Sequence, residues 1–154
     1  MPPSSHAILF VTPFDADTSA VNLATGRHGF GHVALWAGTV ENMQPIVLDS
    51  SISEGGVRFR PLREMTRDVP HVPWWLDDAL GAWIFRRAMA CLGAPYDYKG
   101  LFSGTVRPDA FTCSGLVCCA LPVQLERRCR PKRGPVSPND LARGLGVPKW
   151  NPSP

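Results

Sequence analysis

No apolar run in the 154-residue sequence approaches the roughly 18 residues that cross a bilayer, which excludes a helical membrane span. The N-terminus, MPPSSHAILFVTPF, lacks the basic region, the long apolar segment and the small-residue cleavage site of a secretory signal. A cytoplasmic protein is therefore expected, although release by lysis or carriage in a virion would suit the same sequence. Paired C-x-x-C spacing is missing too. Cys91, Cys113, Cys118, Cys119 and Cys129 are odd in number and have no histidine close by in sequence. That pattern argues against a structural zinc site or a disulfide framework and for a reducing compartment. Charge of one sign is scarce: 16 basic and 13 acidic residues leave a net charge of +3, too balanced for a dedicated nucleic-acid binder. No internal repeat, low-complexity segment or composition break divides residues 1–154, so a single domain is expected.

What is present is the composition of a soluble globule, 44% hydrophobic and 19% charged, with 14 Gly and 16 Pro that call for many turns. A chain of this length buries about two-thirds of its unfolded surface, enough for one sizeable core. Ala7–Val11 (AILFV) reads as a buried strand, and Asp15 or Asp17 can cap a short helix that Gly26 ends. His32–Trp36 (HVALW), Pro45–Ser50 (PIVLDS) and Val57–Leu62 (VRFRPL) read as three further strands. The last alternates with period two and is joined to its predecessor by the turn Glu54-Gly55-Gly56. Residues 64–75 read as irregular and proline-punctuated, with Trp74 and Trp75 over the core. Asp77 caps a helix running to Leu92, with Leu80, Ile84, Met89 and Leu92 near one face and Gly93 as its stop. Residues 94–110 are turn-rich. Thr112 caps CSGLVCCAL up to Pro122, and Ser137 caps a last helix with Pro138 at its first position, Asp140 three residues after the cap and Leu141 and Leu145 inward. The run Arg127–Arg133 (RRCRPKR) reads as a solvated loop, with contact to phosphate or to an anionic membrane surface as the alternative. The fold class is α+β, an antiparallel sheet packed against helices.

Cys113 stands in the first turn of its helix, where unpaired N–H groups and the positive end of the dipole favour a thiolate and could bind an oxyanion. Most cysteines are simply small buried hydrophobes, and the other four lack this address. A thiolate mechanism needs a base on a rigid element. His6 lies near the chain end, His28 in a Gly-rich loop and His71 between prolines, whereas His32 heads a strand. A lone histidine there can equally be a surface or satisfied core residue. Asp49 ends the neighbouring strand, where it can orient the imidazole or merely start a turn.

The segments ILFVT, SAVNLATG, GHVALW, PIVLDSS, GGVRFRPL, LGAPYDY, FTCSGLV and VSPNDLA, in that order from Ile8 to Ala142, resemble the circularly permuted NlpC/P60 hydrolases, the YaeF/YiiX-like branch of papain-like cysteine peptidases and amidases. The resemblance implies a permuted papain-like core in which the histidine strand precedes the cysteine helix. It places the nucleophile on Cys113, the general base on His32 and the polar third member on Asp49, where relatives tend to carry Glu. Gly31 replaces a serine that often precedes the histidine. GAPYDY resembles a tyrosine-containing motif near the site, so Tyr96 could hydrogen-bond the oxyanion, shape the pocket or simply pack.

The expected activity is hydrolysis of an acyl bond, with a small peptide, a peptidoglycan stem or a lipid-like ester as substrate. Neither metal nor organic cofactor is needed. Trp36, Tyr96, Tyr98 and Phe102 would permit an apolar acyl group. Two other readings compete: a catalytically silent binding module on the same fold, and a lecithin-retinol-type acyltransferase. The latter shares the His-before-Cys order, but Thr112-Cys113-Ser114-Gly115 departs from its Asn-Cys-Glu-His type signature. Substrate identity and oligomeric state stay open at this point.

Overall fold

The computed structural model describes residues 5–13, 19, 29–36, 45–66, 69–103 and 107–148. Five strands, β1 (Ala7–Val11), β2 (His32–Trp36), β3 (Ile46–Ser51), β4 (Gly56–Pro61) and β5 (His71–Trp75), form one sheet in the order β4-β3-β2-β1-β5, with every neighbouring pair antiparallel. The helices are α1 (Leu62–Thr66), α2 (Asp78–Met89), α3 (Tyr98–Ser103), α4 (Cys113–Ala120), α5 (Val123–Cys129) and α6 (Pro138–Leu145). The chain is therefore α+β, an antiparallel sheet packed against helices, as its sequence predicts. The expected helix capped by Asp15 or Asp17 and the loop at His28 lie outside the described residues.

Alternation along the strands divides the core. Ile8, Phe10, Val33, Leu35, Leu48 and Val57 face α2, α4 and α6, where they join Ile84, Leu116, Val117 and Leu141. Leu9, Val11, Ala34, Val47 and Met65 build a smaller cluster on the other face. Each large side chain closed off this way contributes about 1.5–3 kcal/mol of burial.

The structure corrects several expectations. Residues 71–75 form β5, an edge strand. Pro73 interrupts nothing there, because β5 pairs only with β1 and an edge tolerates a missing N–H. Trp74 packs against the core, but Trp75 is 46% exposed and stacks on Trp36. α2 ends at Met89, short of Leu92, and its buried face is Gly81, Ile84 and Ala88, whereas Met89 and, beyond the helix, Leu92 are exposed. Gly81 sets that face: a Cβ there would lie 2.4 Å from the His6 Cβ, so only glycine lets α2 sit this close to the start of β1. Within the turn-rich stretch, residues 98–103 form α3. The basic run is only partly loop: Arg127 and Arg128 form the last turn of α5, and Cys129 is fully buried.

Candidate active site

Thr112 caps α4, its hydroxyl accepting from Gly115 N at 2.9 Å. A Cβ at Gly115 would stand 2.9 Å from that same hydroxyl oxygen, so glycine keeps the cap in place. Ser114 Oγ donates to Val136 O at 2.5 Å and pins the first turn to the segment before α6. Leu116, Val117 and Ala120 anchor the helix in the core. Cys113 is thus the first helical residue, and its amide and that of Ser114 lie ahead of the i→i−4 ladder.

His32 is the first residue of β2, paired with Val11 of β1. Its approach is clamped from α6: Asn139 Oδ1 accepts from Phe30 N at 3.0 Å, and Asn139 Nδ2 donates to Phe30 O at 3.2 Å. Gly29 has φ 127°, and a Cβ on it would meet Asn139 Oδ1 at 2.9 Å. Ser137 and Asp140 close a reciprocal capping box that holds Asn139 in the first turn of α6. The late SPNDL segment therefore positions the histidine strand, a role its reading as a helix start does not reveal.

Asp49 lies on the neighbouring strand, on the same sheet face as Ala34 and His32 by alternation, at the diagonal spacing that lets side chains meet. His32 Nε2 donates to Asp49 Oδ2 at 2.7 Å, since a carboxylate can only accept. Aspartate thus reaches the ring despite being one methylene shorter than glutamate. Arg60 NH1 donates to the same oxygen at 3.3 Å, while Asp49 Oδ1 makes no hydrogen bond among the described residues. Arg60 is a site residue that the period-two reading of β4 misses: Phe59 is exposed at the sheet edge and Arg60 is buried at 9%, because the Asp49 charge lies beneath it. The Cys113 side chain hydrogen-bonds the same imidazole, and with Nε2 committed to Asp49 the other ring nitrogen is the one left for it. Because His32 begins its strand, its ring sits at the strand end, within reach of a helix packed on the opposite face.

Burial alone would discharge this imidazole. The negative charge of Cys113, hydrogen bonds to Asp49 and Cys113 and the Asp49 charge overcome it and hold the His32 pKa up at about 10, against an ordinary 6.5. The other buried thiols behave oppositely: burial pushes Cys118 and Cys119 up to about 12 and Cys129 to about 11. The Cys113–His32–Asp49 group is closed off from solvent, at 1%, 3% and 0% exposure.

Tyr96 is buried and stacks edge-on against Tyr98, and its main chain bridges Phe111, two residues before Cys113. Ser50 Oγ donates to Phe111 O at 2.6 Å, tying the strand of Asp49 to the approach to Cys113. Among the described residues no group of three or more His, Cys, Asp or Glu side chains could hold a metal ion, and no helix is long and apolar enough to cross a membrane. Comparison with known proteins finds no family model and no curated sequence that matches the chain.

Proposed function

We propose that the protein is a cysteine hydrolase that cleaves an acyl bond, an amide, ester or thioester, with Cys113 as nucleophile, His32 as acid–base and Asp49 as the group that orients the ring. One observation carries this reading: a single imidazole is bonded to a buried carboxylate through Nε2 and also hydrogen-bonds a cysteine at a helix start. In this reaction the Cys113 sulfur attacks the carbonyl carbon, the amides at the start of α4 stabilise the oxyanion, and imidazolium delivers its proton to the departing amine, alkoxide or thiolate. Water then attacks the acyl-enzyme, gives its proton to His32 and releases the acid. Tyr96 is assigned to the pocket as oxyanion donor or wall. The order of histidine strand, carboxylate strand and cysteine helix suits a permuted papain-like core of the NlpC/P60 type. A small peptide or acyl-containing compound is the substrate class.

The 1% exposure of Cys113 favours a second reading, a silent binding module on the same fold. Short fatty-acyl esters and D-Glu-containing peptides, assayed with the wild-type protein and Cys113→Ser, separate the two. Turnover of either class that disappears in the variant supports the hydrolase. Failure of the wild type to exceed the variant on both classes overturns it in favour of the binding module.

A further inference from the structure

An apolar cavity lies away from the Cys113–His32 pair. It encloses about 310 Å³, at the small end of ligand pockets, and lies against the face of α4 made by Thr112, Gly115, Cys118 and Cys119. Cys113, Leu116 and Val117 occupy the other side of that helix, toward the sheet. Phe111, Pro135 and Val136 supply much of the apolar remainder, and Arg130 stands in the wall. Arg130 also lines a wider, more open depression with Arg128, Lys132, Arg133 and Arg143. Gly144 makes this grouping possible, because a Cβ there would strike Cys129 Sγ and Arg128 O at 2.6 and 2.7 Å, so the close approach of α6 to α5 brings Arg143 beside Arg128.

Charge is concentrated here. From Val123 to Arg143 six basic residues face two acids, a local +4 in a protein of net +3, so the rest of the chain is slightly acidic. Glu126 is taken by Arg130 and Asp140 by Arg143, which leaves Arg127, Arg128, Lys132 and Arg133 without an ion pair among the described residues. An apolar chamber whose wall turns into a cluster of cations complements a molecule with an apolar tail and a compact multivalent anion. Guanidinium forks match phosphate oxygens best.

We infer that this is a second ligand site, separate from the catalytic pair, that takes an alkyl phosphate monoester: the alkyl chain enters the cavity and the phosphate meets the arginines. Titration of the full chain with decyl phosphate below its micellar concentration, with inorganic phosphate, with decanol and with anionic lipid vesicles tests it. Decyl phosphate is expected to bind at least tenfold more tightly than either phosphate or decanol. Arg128→Gln with Arg133→Gln, both on the surface and outside the core, should weaken decyl phosphate at least tenfold while leaving decanol unchanged. Val136→Phe, which fills the cavity, should abolish the advantage of the alkyl chain while inorganic phosphate still binds, and that retained binding reports an intact fold. Cys113→Ser should bind as the wild type does. Equal affinity for decyl phosphate and inorganic phosphate, or binding only to vesicles, overturns the inference and leaves the hydrolase proposal untouched.

Discussion

Replacing Asp49 with Asn keeps the side chain's size and removes one negative charge from a site holding two donors. Asp49 is wholly buried, and its Oδ2 accepts from His32 at 2.7 Å and from Arg60 at 3.3 Å. An amide can offer its oxygen to one of these and must turn its NH2, itself a donor, toward the other. Removing one partner of a buried ion pair costs about 3–5 kcal/mol. Here the ring can relax by shedding its proton, so the expected loss is about 3 kcal/mol, a fall of roughly 6–12 °C in Tm for a chain of this size. If the NH2 faces Nε2, the ring takes the tautomer with a hydrogen on its sulfur side and can no longer accept a proton there, so turnover should drop by up to about 10⁴-fold. Thermal unfolding followed by circular dichroism and the acyl-bond assay read the two effects. Adding Arg60→Met removes the stranded cation and should recover several degrees without recovering turnover. A Tm within about 1 °C of wild type together with unchanged turnover would refute the role given to Asp49.

Three further outcomes follow from the same geometry. Because the folded-state pKa of His32 is raised from 6.5 to about 10, the stability it contributes is complete below about pH 6.5 and is lost as pH rises through 10; denaturant titrations should show this decline in the wild type and a flatter profile in His32→Asn. Asn139→Ala removes both hydrogen bonds to Phe30, at about 1 kcal/mol each, and turnover should fall more steeply than stability because the start of β2 is freed; unchanged turnover would show that the clamp does not position His32. At pH 7 the wild type should absorb more strongly in the thiolate ultraviolet band than Cys113→Ser does, because burial holds Cys118, Cys119 and Cys129 protonated, and identical spectra would count against a nucleophilic Cys113.

The parts of the molecule legible in the sequence are those with strong local signals. β1 and β2 follow from apolar runs bounded by turn residues, and α4 and α6 from Thr112 and Ser137 as caps, so Cys113, His32 and Asp49 could each be given an address. The missed elements have weak or conflicting signals. β5 contains Pro73, which only the knowledge that it lies at a sheet edge makes acceptable. α5 follows Pro122 and is short, with Leu125 and Cys129 turned to the core beside charged neighbours, too few apolar positions to show a period. Arg60 and Asn139 escape for a different reason: each acts through a partner remote in sequence, Asp49 and Phe30, and neither local pattern names that partner. Pairing across the sheet decides both.

The central claim is that a charged imidazole faces the Cys113 sulfur, and nitrogen-detected NMR of the His32 ring tests it without requiring a reagent to reach a closed site. The claim predicts that both ring nitrogens stay protonated across the neutral range, that the ring titrates near 10, and that Cys113→Ser lowers that midpoint because the opposing charge is gone. A ring that is neutral at pH 7, or one whose titration is indifferent to the serine substitution, would contradict it.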